Sequence, residues 1–128
     1  IRDAELETSG EIRVHIEKRC PGDVLDRAAF IFEKLGMHKT EKRNGVLIYL
    51  AVESRKFAFI GDAGIHAVVP EGFWDDLKMK ALVYFREDRF TEGLVEVIAE
   101  IGHYLQKHFP IQKNDVNELP NEMSFDED

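Results

Sequence analysis

The chain has 128 residues, of which 44% are hydrophobic and 33% charged, and a formal net charge of −8. That size supports one domain with a real core, and no apolar run approaches the roughly 20 residues that cross a bilayer. From Ile111 onward six carboxylates face one Lys, so the body carries only −3. With no basic stripe, phosphate backbones are repelled and nucleic acid is excluded as a partner.

In chain order, Ile1 to Glu7 reads as the end of a helix. In Glu11–Glu17, Ile12, Val14 and Ile16 alternate with Arg13, His15 and Glu17, which predicts a strand at about 10–17 with one face buried. Pro21-Gly22 breaks the chain and Asp23 is placed to cap a helix. Its buried face would carry Leu25, Ala28, Ala29, Phe32 and Leu35, with Gly36 as terminator. The apolar run Gly45–Val52 predicts a central strand covered on both faces. After a four-residue turn, 56–61 reads as a third strand in antiparallel pairing. A helix between the first two strands predicts that they run parallel.

Gly64 to Val69 suggests a short helical turn. Pro70 is expected to open a helix with Trp74, Leu77, Ala81, Leu82 and Phe85 on one face. Thr91 is expected to cap another, carrying Leu94, Val97, Ile98, Ile101 and Leu105. Residues 1–110 thus form an α/β domain, a small mixed sheet with a β-α-β-β core flanked by helices. Residues 111–128 read as a mostly disordered acidic tail, in which Val116 to Leu119 or Met123 to Phe125 can touch the body.

The common catalytic signatures are missing: no P-loop, HExxH, paired CxxC or GxSxG occurs. Cys20 has no disulfide partner within the chain. His15, His38, His66, His103 and His108 are scattered, and the spacing of five between the last two does not give a shared helix face.

The topology gathers residues at one edge. The starts of the first two strands and the end of the third bring together Thr8 to Glu11, Arg43 to Gly45 and Gly61 to Gly64. Glu11, Asn44 and Asp62 would converge there beside glycines, an oxygen-rich set suited to Ca2+ or Mg2+. Each also has a plain structural reading: Asp62 as a helix cap, Asn44-Gly45 as a turn, Glu11 as a solvated side chain. The opposite edge gathers Asp23, Asp26, Glu53, Ser54 and Arg55 at the carboxyl ends of the parallel strands, where open α/β sheets bind ligands.

The segments TSGEIRV (Thr8 to Val14), RNGVLIYLAVESRKFAFIGDAGI (Arg43 to Ile65) and GLVEVIAEIG (Gly93 to Gly102) resemble the TPM domain family, over about Thr8 to Pro110. The resemblance implies a three-layer, Rossmann-like α/β domain without a dinucleotide fingerprint. In some plant members it goes with acid phosphatase activity and divalent-cation (calcium) binding, and in others with accessory roles at membrane complexes. The matching positions are Gly10, Glu11, Asn44, Gly45, Arg55, Gly61, Asp62 and Gly64. Many relatives have a signal peptide and a membrane or Gly-rich tail, whereas this chain shows an acidic tail, so a cytoplasmic location is expected. The functional expectation is a weak divalent-cation-dependent phosphatase. Its alternatives are a non-catalytic module that docks a protein partner and a simple cation-binding domain.

Overall fold

In a computed structural model, residues 10–110 and 124–126 are described. The three core strands stand close to where the hydrophobic pattern placed them: β1 (Glu11–Glu17), β2 (Gly45–Ala51) and β3 (Lys56–Gly61). β1 and β2 run parallel, with Glu11 opposite Gly45 and Glu17 opposite Ala51. β2 and β3 are antiparallel, with Val46 opposite Gly61. The crossover helix is α1 (Val24–Lys34); α2 (Ala63–His66), α3 (Phe73–Phe85) and α4 (Phe90–His108) follow β3. A further strand, β4 (Ser124–Asp126), runs parallel to β1, so the sheet order is β3-β2-β1-β4.

The sheet is the middle of three layers. Ile12 and Val14 of β1 and Val46, Ile48 and Leu50 of β2 face a core shared with α3 and α4. Leu47, Tyr49 and Ala51 face a second core under α1, with Ala28, Ile31, Phe32 and Met37. Each fully buried aliphatic side chain contributes roughly 1.5–3 kcal/mol through removal from water. β2 feeds both cores, which accounts for its unbroken apolar run.

The one-sided reading of β1 is corrected. Arg13, His15 and Glu17 are buried at 7%, 2% and 2% exposure. They share the parity of Leu47, Tyr49 and Ala51, on the α1 side of the sheet, where Arg27 of α1 reaches Glu17. On α1 itself the buried set is Ala28, Ile31 and Phe32, whereas Leu25 is 55% exposed and Ala29 is exposed.

Two helix starts also differ. α3 begins at Phe73, because Gly72 before it adopts a left-handed φ of 81° that a helix cannot include. α4 begins at Phe90, which places Thr91 inside the first turn; Arg89 is the cap position, and its guanidinium bonds to Glu92. The acidic tail touches the body at Ser124–Asp126, which pairs with His15–Glu17 and satisfies backbone groups that an open β1 edge would expose. The expected amino-terminal helix and the other tail residues lie outside the described residues.

Candidate functional site

At the strand-entry edge, Glu11 stands opposite Gly45 on β1, and the Asp62 N–H donates to the Gly45 carbonyl at 3.0 Å on the β3 side. Glu11, Gly45 and Asp62 therefore form a row with the parity of Leu47 and Tyr49, on the α1 face. Both carboxylates are buried, at 1% and 7% exposure. Between them, the Met37 carbonyl oxygen sits 3.0 Å from where a Gly45 Cβ would stand. Glycine at position 64 is required for a similar reason: a Cβ there would run into the Lys42 carbonyl and stand 2.7 Å from that of Arg43. Oxygen atoms are thus densely packed along this edge.

Asp62 has two partners. Its oxygens accept a two-pronged bond from the Arg43 guanidinium, at 2.7 Å each, and Oδ1 also accepts from the Ala63 N–H at 2.8 Å, capping α2. Burial acts to raise the Asp62 carboxyl, but the bonds from Arg43 and Ala63 outweigh it and hold it below the usual carboxylate range. Arg43 enters with a left-handed φ of 51°, and its side chain is 53% exposed.

Asn44 is brought to the same edge but, by strand alternation, has the parity of Val46. Its N–H donates to Thr40 Oγ1 at 3.2 Å and its carbonyl accepts from the Glu11 N–H at 3.3 Å. Its carboxamide is buried and has no hydrogen-bond partner among the described residues. Among the described residues, no group of three or more His, Cys, Asp or Glu side chains is placed to hold a metal.

The opposite edge is built of structural pairs. Asp23 caps α1, accepting from the Leu25 and Asp26 N–H groups at 3.0 and 3.1 Å. Ser54 Oγ accepts from the Cys20 N–H at 2.9 Å, Glu53 lies 3.6 Å from Arg19, and Arg55 pairs with Asp88 at 3.0 Å. Beneath them is a cluster that the sequence reading missed. Glu17 accepts from Arg27 Nε and Nη2 at 2.9 and 2.8 Å and from the Tyr49 hydroxyl, with His15 Nε2 at 3.5 Å. Burial pushes Glu17 up, and the Arg27 and Tyr49 bonds more than reverse it, leaving the carboxyl below its ordinary value. Burial and the bond to Glu17 together push the Tyr49 phenol up. The available signal was Tyr49, an aromatic hydroxyl in an otherwise aliphatic strand, opposite His15 in the parallel register.

Fold and edge together define a small three-layer α/β domain whose strand starts converge on a buried acidic row. A TPM domain model matches residues 1–104, and the chain belongs to the TPM domain family. It is 48% identical to the BA42 protein of the psychrophilic bacterium Bizionia argentinensis, with a TM-score of 0.89 over 98% of this chain and 87% of that one. The N-terminal domain of a P. gingivalis protein shares the fold at 19% identity and a TM-score of 0.68, covering 85% of this chain and 73% of that one. So does the N-terminal domain of the Corynebacterium glutamicum protein cg2496, at 13% identity and a TM-score of 0.62, covering 96% and 71%. Comparison with curated proteins gave no match. Among the described residues no helix is long and apolar enough to cross a membrane.

Proposed function

We propose that this TPM domain binds a divalent cation, Ca2+ or Mg2+, weakly at the strand-entry edge, with Glu11 and Asp62 as its anionic ligands. The observation that supports this is the row itself: two buried carboxylates on either side of a residue with no side chain, with a carbonyl oxygen above it. Hard cations take oxygen donors of this kind. Two strand spacings of about 4.8 Å leave the side chains room to converge on an ion. Asn44 supports the edge through its backbone and is not among the ligands.

Arg43 is the internal competitor. Its guanidinium occupies both Asp62 oxygens, and a cation has to displace it into water, where half of the side chain already lies. Affinity on the order of 10⁻⁴–10⁻³ M is expected. Arg43 also favours a second reading, a weak cation-dependent phosphatase. Once released, its fork can hold phosphoryl oxygens beside the ion, which would polarise them and orient water. Without that chemistry the same edge serves a non-catalytic accessory module that meets a protein partner. The single thiol, Cys20, suits a reducing, cytoplasmic setting for either role.

A Ca2+ or Mg2+ titration followed by backbone amide shifts tests the reading. Saturable shifts are expected at Glu11, Gly45 and Ala63, abolished by Asp62→Asn and tightened severalfold by Arg43→Gln. Addition of an aryl phosphate then asks whether bound cation supports hydrolysis. No saturable response, or an unchanged response in Asp62→Asn, rules the site out.

A further inference from the structure

At the other end of the sheet, where β2 turns into β3, a cavity of about 100 Å³ opens beside the corner between α3 and α4. Leu50, Phe57, Leu82, Phe85 and Phe90 line it, and Arg55 and Arg86 complete its wall. The aromatic rings brace one another: Phe57 meets Phe85 edge-on at 5.0 Å, and Phe85 meets Phe90 at 5.5 Å. The apolar interior is therefore held in shape.

The charges around the cavity balance in number but do not pair one to one. Arg55 is paired with Asp88 at 3.0 Å, and Glu87 lies 3.6 Å from Arg89, which also bonds to Glu92. Arg86 is exposed and has no ion-pair partner among the described residues. Because Arg89 takes two carboxylates, one guanidinium, that of Arg86, is left without an ion pair beside an apolar hole, at the carboxyl ends of the parallel strands.

We propose that this cavity binds a branched aliphatic carboxylate, with a three- or four-carbon apolar group inside and its carboxylate on Arg86 and Arg55. Size sets the apolar part. A cavity of about 150 Å³ holds benzene, so 100 Å³ suits an isopropyl or isobutyl group and is tight for a phenyl ring. Charge sets the polar part, because a guanidinium fork matches a carboxylate. This chemistry has two sources: a free short branched acid, or the C-terminal Leu or Val of a polypeptide.

The test uses the 128-residue chain with four probes: 3-methylbutanoate, its amide, and acetyl-Ala-Ala-Leu as free acid and as C-terminal amide. The acids are expected to shift the Leu50, Phe57 and Leu82 signals saturably, with dissociation constants on the order of 1–10 mM. Arg86→Gln should weaken binding about threefold to fivefold, as expected for an exposed ion pair. Leu82→Phe, which fills the cavity, should abolish it while the remaining spectrum is preserved. Tighter binding of the peptide acid supports the polypeptide source, and tighter binding of 3-methylbutanoate supports the free acid. The proposal is overturned if neither acid shifts those signals, if the amides bind as well as the acids, or if Arg86→Gln changes nothing.

Discussion

Replacing Arg27 by Met tests whether the cluster under α1 is a buried ion pair in the energetic sense. The Glu17 side chain is 0% exposed and that of Arg27 19%, so removing the guanidinium leaves a carboxylate out of water with the Tyr49 hydroxyl and the nearby His15 beside it. Breaking one side of a buried pair costs about 3–5 kcal/mol, a large share of the roughly 5–15 kcal/mol that holds a domain together. With a urea m-value of about 2 kcal/mol/M, the midpoint should fall by about 2 M. Glu17→Gln in the same background removes the stranded charge and should recover more than half of the loss.

The pH dependence of that deficit carries the sign. In the native chain Glu17 titrates below the usual range, so its pairing contributes stability above the unfolded value of about 4.3 and loses it as pH falls through the lowered value. In Arg27→Met, only the Tyr49 bond and His15 are left to oppose burial, which should raise the folded carboxyl. A raised carboxyl is at its most stabilising below pH 4.3 and loses that contribution as pH rises. The gap between variant and native chain should therefore be widest near neutral pH and narrow toward pH 4. Urea titrations at pH 7 and pH 4, followed by far-UV circular dichroism and Trp74 fluorescence, measure it. A midpoint shift below about 0.5 M at pH 7, or no recovery in the double variant, would refute the buried-pair reasoning.

The other predictions concern the strand-entry edge and the tail. Asp62→Asn should cost at most about 1 kcal/mol, because Asn also caps well and the lost Arg43 pair is half exposed. Since Asp62 is held low, that cost should disappear as pH falls below about 4, which acid-dependent melting checks. Gly64→Ala should cost roughly 2–3 kcal/mol by urea denaturation, since the obstacles to its Cβ are backbone carbonyls that cannot rotate away. Truncation after residue 123 should speed amide exchange in His15–Glu17 by about tenfold or more, through loss of the β4 pairing. The β2–β3 ladder should be unaffected.

The core was legible in the sequence because β2 is apolar at both parities and β1 at one, which fixes one interior strand and its parallel neighbour. The β4 pairing was only partly legible. A segment three residues long, with acids on both sides, carries too little pattern to choose its edge. Helix starts were misplaced where a single backbone angle decided them, as at Gly72. Leu25 and Ala29 were misassigned because an eleven-residue helix tolerates a rotated apolar stripe; the centre of its buried face, at Ala28 and Phe32, was read correctly.

The polar residues were harder, and for one physical reason. Sequence alternation assigns a polar parity to solvent, yet Glu11, Arg13, His15 and Glu17 are all buried, and Glu17 finds its partners in distant segments. Arg27 and Tyr49 reach Glu17 across ten and thirty-two residues, separations at which no local motif points to a contact. The same parity that buries Glu17 also fixes the make-up of the candidate cation site. Strand order brought Glu11, Asn44 and Asp62 to one edge, but only residues in phase across the ladder share a face. Glu11, Gly45 and Asp62 are in phase and Asn44 is one step out. If the site binds a cation, Asn44→Ala should leave its affinity within about twofold while lowering stability through a cavity. Glu11→Gln should weaken it at least tenfold, because one of two anionic ligands is lost. Equal losses in the two variants would show that phase across the ladder does not decide membership of the site.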